Sequence, residues 1–411
     1  MTERRRPPAD ASRVLLGLGN TLDLELVWDG DVVTDLATRH GVGSVPTAGA
    51  ADVHDERDLV RTLLAHLAAG TGGEHFVAST DVLLAFAGRF AGRATLGGTN
   101  LRAGLAMRAL GRASTVHLVS TGAVTSALLP ADLAVVTGAG EDTYDPHVVV
   151  QFTAGAEVRV GGRRVVAPAA NRVIYVNDRP NRELIVAERF GDAAARADVV
   201  LVSGFNAVRD RATLTRRVAD VRRHLARRRP GALAVYEHGA FHVGSLADVM
   251  RRELGPAVNV WSCNEDELQE QPGSAVDLGS PRQVLEAVRR THATVGAGTL
   301  VVHTRSWALA LGGDARARRA MLDGGTDLAA ARYTHGDAVT PALLAEVVRR
   351  PRQPAGARFV AALEDLAPGE VTCRAAYDLD VGVPTTVGLG DAFVGGLVAA
   401  LADRAAASAG P

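Results

Sequence analysis

The sequence predicts an α/β fold with a mainly parallel central sheet flanked by helices, and a smaller β-containing lid domain. Three observations support it. Apolar runs of strand length alternate with helical stretches along most of the chain, segments 24–45 and 148–190 alternate apolar and polar residues instead, and glycines end the first apolar run. Strands that alternate with helices form a parallel sheet, which binds its ligands at the carboxyl ends of the strands.

The central sheet is predicted to begin at residues 14–19, a buried strand that ends in glycines and opens into a crevice at Asp23. The other elements follow from apolar runs and helical periodicity. Further strands are predicted at 115–120, 199–203, 233–236, 258–262 and 300–303, and helices at 103–110, 212–226, 281–290 and 393–401. Residues 315–337, rich in Ala and Gly, give no clear prediction.

The alternating segments predict antiparallel strands joined by a turn at Gly161 and Gly162. The predicted strands of this lid are 148–152, 157–160, 172–176 and 183–186. Its closure over the crevice would exclude water from a reaction there. We therefore expect a flexible tail at 1–12, a large α/β domain formed by 13–23, 97–147 and 191–411, and a lid formed by 24–96 and 148–190.

The composition is that of a compact enzyme. The chain has 411 residues, of which 47% are hydrophobic, and its longest apolar runs are too short to cross a membrane. Two cysteines exclude a disulfide framework and favour the cytoplasm. The net charge is −1, and the densest basic run, 222–229, has no interleaved aromatics. We expect no nucleic-acid or membrane partner, and the sequence does not indicate an oligomeric state.

The chain contains no lysine, so every fixed positive side-chain charge is an arginine. A Schiff base, a Walker-type phosphate-binding lysine and the strand lysine of protein kinases are thereby excluded. Any phosphate bound here is held by backbone amides, arginine or metal.

The glycine turn near the C-terminus is the most informative motif. Gly388, Leu389 and Gly390 precede Asp391, and an apolar helical run follows. Such a turn aims backbone N–H groups and the positive end of a helix dipole at one point, which favours an anion. The adjoining carboxylate is suited to take a proton from a hydroxyl that attacks a phosphate. The alternative interpretation is an ordinary glycine-rich loop before a packed helix.

Other polar residues follow predicted strands and are expected at the same sheet edge. They are Gly97, Gly98 and Asn100 before a helix, Glu237, Asn264 with Glu267, and His303 with Thr304. Acidic groups at a strand end suit a hydrated Mg²⁺. Each group also has a structural alternative: Asn264 as a helix cap, Glu237 paired with an arginine, Asp23 capping a turn, and His303 as a satisfied buried histidine.

In the order of these motifs the chain resembles the ribokinase superfamily, and within it the ADP-dependent glucokinases and phosphofructokinases. The resemblance implies a cytoplasmic sugar kinase that uses Mg²⁺ and ADP, with the nucleotide on the large domain. It assigns catalysis to Asp391 and the anion hole to Gly388, Leu389 and Gly390. The remaining roles it implies are substrate binding by Asp23, Glu74, Gly97, Gly98, Asn100 and Arg172, nucleotide binding by Asn264, His303 and Thr304, and metal binding by Glu267 and Glu237.

Two departures from the family pattern keep alternatives open. The family's H-x-E motif matches Val235, Tyr236 and Glu237, so its histidine is missing. The loop continues as Gly-Asp-Ala-Phe, which resembles ATP-using ribokinases equally well. The alternatives are an ATP-dependent kinase of sugars or nucleosides and, in another class, a ligand-binding protein on a kinase scaffold. The acceptor is not indicated, although lid arginines would suit a sugar phosphate.

Overall fold

The computed structural model describes residues 13–47, 53–138, 144–270, 275–382, 385 and 387–408. The tail expected at 1–12 lies outside the described residues. The strands are β1 (Val14–Leu16), β2 (Thr21–Leu26), β3 (Gly73–Phe76), β4 (Gly92–Gly97), β5 (Thr115–Leu118), β6 (Ala134–Thr137), β7 (His147–Phe152), β8 (Glu157–Val160), β9 (Arg163–Val166), β10 (Asn171–Val176), β11 (Val199–Val202), β12 (Leu233–Glu237), β13 (Val260–Asn264), β14 (Thr299–His303), β15 (Trp307–Gly312) and β16 (Val371–Ala375).

Helices connect most of these strands. They are α1 (Gly30–Arg39), α2 (Glu56–Ala69), α3 (Thr80–Ala87), α4 (Thr99–Ala109), α5 (Ala123–Leu128), α6 (Arg179–Glu183), α7 (Glu188–Ala194), α8 (Arg211–Leu225), α9 (Ala247–Glu253), α10 (Glu265–Leu268), α11 (Pro281–Val295), α12 (Ala315–His335), α13 (Pro341–Val347), α14 (Pro354–Leu366) and α15 (Leu389–Ser408). None of the helices in the described ranges is both long and apolar enough to cross a membrane.

A nine-stranded sheet, the main sheet, forms the larger part of the molecule. Its order is β16-β15-β14-β13-β12-β11-β1-β5-β6. All neighbours are parallel except β14 with β15 and β15 with β16. Clusters of buried apolar side chains cover both faces of this sheet. The predicted α/β class and the mainly parallel sheet flanked by helices are confirmed.

A five-stranded sheet, the small sheet, has the order β3-β10-β7-β2-β4 and mixes parallel with antiparallel pairs. Its core is shared with α1, α2 and α3. Strand β2 places Asp23 opposite His147, and β4 ends at Gly97, so both motif residues lie on the small sheet. The division of the chain into a large domain and a lid stays a prediction.

Two predictions from local pattern were wrong. Segment 24–45 is a strand only as far as Leu26, because Asp29 caps α1 and the helix buries Val33, Leu36 and Ala37 along one face. Residues 183–186 form no strand, since α6 ends at Glu183 after an Asp178 cap. Segment 315–337, which gave no prediction, is almost entirely the helix α12.

Helix α15 lies between α4 and α12 and is buried along most of its length. Its glycines allow the close approach. A Cβ at position 395 would lie 3.1 Å from the Ala103 carbonyl oxygen, and one at 396 would overlap the Gly324 carbonyl oxygen. The helix begins four residues earlier than predicted, at Leu389, so the predicted anion-binding turn and the first helical turn are one structure.

Candidate active site

A cavity of about 230 Å³ lies between the main sheet and the small sheet. Residues from both sheets and from the start of α15 line it. Of the predicted site residues, the lining contains Asp23, Glu74, Gly98, Arg172, Gly388 and Asp391. These positions are up to 368 residues apart in the chain, since they run from 23 to 391, and the fold brings them to one place.

The turn before α15 has the geometry of an anion site. Gly388 has φ +74°, a left-handed conformation that favours glycine. The first intrahelical hydrogen bond is donated by Ala392 N–H to the Gly388 carbonyl oxygen at 3.0 Å. The N–H groups of the three residues before Ala392 therefore precede the helical ladder and can be donated to a ligand. Asp391 belongs to this first turn, and 22% of its side chain is exposed.

Two arginines flank Gly388. Arg332 Nε donates to the Val387 carbonyl oxygen at 2.9 Å. A Cβ at position 388 would lie 3.0 Å from Arg102 Nη1 and 3.1 Å from Arg332 Nε. The turn is thus held from behind by α12 and bordered by positive charge from α4. Both arginines favour an anion at the turn.

The Asp23 carboxylate is held on both oxygens. The Thr21 hydroxyl donates to Oδ1 at 2.6 Å, and Arg102 Nη2 donates to Oδ2 at 2.8 Å. A Cβ at Gly97 would overlap both Thr21 and Asp23, which explains the first glycine of the pair. Burial disfavours the charge on Arg102, but the neighbouring carboxylates outweigh it and raise the pKa of Arg102.

Charged groups also line the opposite wall. His242 Nε2 donates to Glu74 Oε1 at 2.6 Å, which joins the loop after β12 to β3. Burial opposes ionisation of Glu74, yet this bond lowers its pKa. His147 Nε2 donates to Asp178 Oδ2 at 3.1 Å. Although burial acts against the charged form, that partner raises the pKa of His147 to about 9, so the imidazole is cationic at neutral pH.

A second cluster lies beside the turn, at the carboxyl ends of β12, β13 and β14. His303 Nε2 donates to Glu237 Oε1 at 2.9 Å, and its ring stacks on Phe393 of α15 with centroids 4.7 Å apart. Asn264 ends β13 and caps α10 in a reciprocal capping box with Glu267. Burial, followed by the negative charge of Glu237, raises the pKa of Glu267 well above its usual value.

This cluster fits a cation that is held through water. Glu237 Oε2 is buried and has no hydrogen-bond partner among the residues that the structure describes. Two buried carboxylates that raise each other's energy gain from a divalent ion nearby. Within the same described residues, no group of three or more His, Cys, Asp or Glu side chains converges to ligate a metal directly. Coordination through water is the arrangement that the two glutamates permit.

Several predicted residues lie outside the cavity lining. Asn100 is fully buried, and its amide donates to the His117 carbonyl oxygen at 2.6 Å, because the first turn of α4 faces β5. Its Oδ1 is buried and has no hydrogen-bond partner among the described residues, and the predicted substrate contact from Asn100 stays a prediction. The Thr304 hydroxyl is bonded within the β14–β15 turn, to Trp307 and Ser306. The other predicted site residues outside the lining are Gly97, Asn264, His303, Glu237, Glu267, Leu389 and Gly390.

The cavity also contains residues that the sequence did not single out. They are Thr21, Thr99, Arg102, His147, Asn181 and Asn206. Arg102 could have been found from the sequence, because it lies four residues after Gly98, one helical turn along α4. In the structure its backbone N–H donates to the carbonyl oxygen of Gly98. The others follow no motif, and their place depends on how the two sheets pack.

Known proteins resemble this chain in sequence and in fold. Residues 12–311 match the family model described as the ADP-specific phosphofructokinase/glucokinase conserved region. The match covers well over half of the 411 residues and ends before the 388–391 turn. Among curated protein sequences, none matches the chain.

Solved structures share the fold. A phosphofructokinase from Pyrococcus horikoshii OT3 with AMP has a TM-score of 0.73 and 15% identity, over 96% of this chain and 98% of that chain. A hypothetical ADP-dependent phosphofructokinase from the same organism has a TM-score of 0.74 and 15% identity, over 97% of this chain and 99% of that chain. An ADP-dependent kinase in complex with fructose 6-phosphate and ADPβS has a TM-score of 0.71 and 13% identity, over 95% of this chain and 93% of that chain.

The match to the family model and the shared fold point to the same class of protein. They identify an ADP-dependent sugar kinase, a phosphotransferase whose acceptor is an alcohol. The glycine turn alone did not distinguish ADP from ATP as the phosphoryl donor. The family match identifies the donor as ADP. The chain belongs to the ADP-specific phosphofructokinase/glucokinase family.

Proposed function

We propose that the protein transfers the terminal phosphoryl group of ADP to a hydroxyl of a hexose or hexose phosphate, with Asp391 as the base. The observation that carries this proposal is the position of Asp391, which shares one cavity with Asp23 and Arg172 and belongs to the turn that presents free N–H groups. A binding protein has no need of a carboxylate beside an anion site. A kinase needs both.

The steps follow from the chain's own groups. The N–H groups of Leu389, Gly390 and Asp391 take the negative charge of the transferring phosphoryl group. Asp23 and Glu74 orient the hydroxyls of the acceptor from the small sheet. The Asp391 carboxylate accepts the proton of the attacking hydroxyl as the phosphoryl group is displaced in line. Arg172 neutralises anionic oxygens that reach its side of the cavity.

Magnesium belongs to this proposal as well. Glu267 and Glu237 would hold Mg²⁺ through water, and the ion, when bound, offsets the charge of the phosphate oxygens. The support is the partnerless Glu237 oxygen and the raised pKa of Glu267. Asn264 orients Glu267 by donating from Nδ2 to its Oε1 at 2.9 Å.

The acceptor is a neutral or a phosphorylated hexose. A related fold binds fructose 6-phosphate together with an ADP analogue, which supports a sugar phosphate. Arg102, Arg172 and a cationic His147 in the cavity would accommodate such an anion. Among the arginines of the region 148–190, only Arg172 belongs to the described cavity lining.

The Asp391→Asn variant tests the proposal. We expect kcat to fall by about 10²- to 10⁴-fold, because the proton acceptor is lost, while ADP binding by calorimetry stays close to that of the wild type. Release of AMP from ADP, and of ADP from ATP, is measured against glucose, fructose 6-phosphate and a nucleoside. Asp403→Asn, an exposed carboxylate on the same helix that pairs with Arg112, is the control and retains activity. An Asp391→Asn enzyme with more than a tenth of wild-type kcat rules out the assigned base.

A further inference from the structure

Arg102 is a buried cation on α4, with 9% of its surface exposed. It lies between β2 of the small sheet and the first turn of α15. A buried guanidinium is tolerated only where carboxylates or other acceptors compensate its charge. The carboxylates around Arg102 therefore indicate the function of its buried position.

These partners are the two carboxylates of the proposed reaction. Arg102 Nη2 donates to Asp23 Oδ2 at 2.8 Å, and Nε lies 3.8 Å from Asp391 Oδ2. A third carboxylate, that of Glu25, has Oε1 3.8 Å from Nη2. One planar, rigid group thus faces a residue of the small sheet and a residue of α15 at the same time.

The contact of Arg102 with Asp23 differs in kind from its contact with Asp391. The bond to Asp23 is a charge-assisted hydrogen bond, whereas 3.8 Å to Asp391 is an ion pair without a hydrogen bond. Asp391 therefore keeps its lone pairs for a substrate hydroxyl. Without Arg102, Asp23 and Asp391 would lose the cation that lies between them, whereas Glu25 would keep Arg93 at 2.8 Å. Like charges that are no longer separated by a cation repel.

We propose that Arg102 is a positioning residue for phosphoryl transfer, which fixes the separation between Asp23 and Asp391 so that the acceptor hydroxyl is presented to the base. The inference rests on the proposed function. It predicts that loss of Arg102 lowers kcat, because a displacement of about 1 Å between reacting groups costs on the order of 100-fold. ADP binding weakens by less than kcat falls, because Arg102 adds only its charge beside the turn, whose backbone N–H groups and Arg332 remain.

The test compares Arg102→Met and Arg102→Lys with Arg108→Met. Arg108 lies on the same helix, is half exposed and pairs with Asp132, so its variant keeps wild-type kcat. We expect kcat to fall about 100-fold for Arg102→Met and about tenfold for Arg102→Lys, whose single ammonium retains the charge but not both contacts. Thermal stabilisation by ADP, measured for each variant, shows that the folded site is retained.

Chemical rescue covers a methionine variant that fails to fold. Arg102→Ala with millimolar guanidinium should recover at least tenfold in kcat, whereas equal concentrations of urea or sodium chloride should not. Wild-type kcat in Arg102→Lys, a fall of less than threefold in Arg102→Met, or an absence of guanidinium rescue overturns the inference. Failure of the proposed function is distinct: Asp391→Asn would then remain active, and the inference would fall with it.

Discussion

The acidic pair Glu237 and Glu267 is the residue-scale feature with the clearest energetic signature. Both side chains are buried, and a raised pKa means that ionised Glu267 destabilises the folded protein at neutral pH. Glutamine keeps an acceptor oxygen for the Asn264 backbone N–H, but its NH₂ group cannot accept from Asn264 Nδ2 as the second carboxylate oxygen does. The Glu267→Gln substitution should distinguish the destabilising effect of the buried charge from the proposed role of Glu267 in metal binding.

We expect metal-free Glu267→Gln to unfold at a higher temperature than the wild type at pH 8, because the cost of burying the carboxylate charge, and after it the repulsion from Glu237, is gone. Its half-saturating Mg²⁺ concentration for kcat should rise about 10- to 100-fold, as for other disturbed metal sites. Differential scanning fluorimetry and a magnesium titration of kcat measure the two effects. Asp266→Asn, exposed on the same helical turn, is the control. An unchanged magnesium requirement would contradict the metal assignment.

The residues that the sequence identified, and those that it missed, differ for a physical reason. The 388–391 turn was recognisable because a left-handed glycine and a helix start are local properties. Asp23 and Glu74 came from the resemblance. His147 and Asn181 were missed because each reaches the cavity through the packing of β7 and α6, which no local pattern shows. Asn100 follows the expected glycine pair, yet its side chain serves the fold.

At the scale of elements, the crossing of α12 and α15 determines where the anion site lies. Gly324 and Gly396 permit the two backbones to meet, and Phe393 covers Gly325. This crossing also explains why segment 315–337 gave no prediction. Its buried face mixes the large residues Met321, Leu322 and Leu328 with glycine, alanine and a buried arginine. It therefore lacks the continuous stripe of large apolar residues by which helices are recognised.

Gly396→Ala should destabilise the protein by about 1–3 kcal/mol, because the added methyl group meets the Gly324 backbone and forces the helices apart. Since α15 carries the turn and Asp391, kcat should fall as well. Urea unfolding followed by circular dichroism measures the loss of stability. At Gly244 an added Cβ meets nothing within 4 Å, so Gly244→Ala serves as the comparison. Equal stabilities would show that the crossing tolerates separation.

At the scale of the whole molecule, the cavity depends on contacts between the two sheets. Glu74 of β3 meets His242, and the Arg209 guanidinium lies 4.0 Å from the centre of the Phe76 ring. Asp178 follows β10, where the chain leaves the small sheet, and it caps α6. His147 of β7 donates a hydrogen bond to its carboxylate. These contacts make the relation between the sheets sensitive to charge.

His147 gives that relation a pH dependence. Its pKa is raised from 6.5 to about 9 in the folded protein, so its contribution is fully present below pH 6.5 and is lost as the pH rises through 9. The contribution is at most about 3 kcal/mol. The stability difference between the wild type and His147→Gln, from urea unfolding, should therefore shrink between pH 6 and pH 9.5. His54→Gln, at an exposed site, should show no such trend. A constant difference would contradict the assignment.

The enclosure of α15 has a consequence for how the enzyme moves. A helix wedged between α4 and α12, with glycine backbones in contact, has no room to travel toward an incoming sugar. We therefore expect the strands that hold Asp23 and Glu74 to carry the acceptor toward the turn. Superposing free and ligand-bound forms on those three helices should therefore leave all of the displacement in the five-stranded sheet.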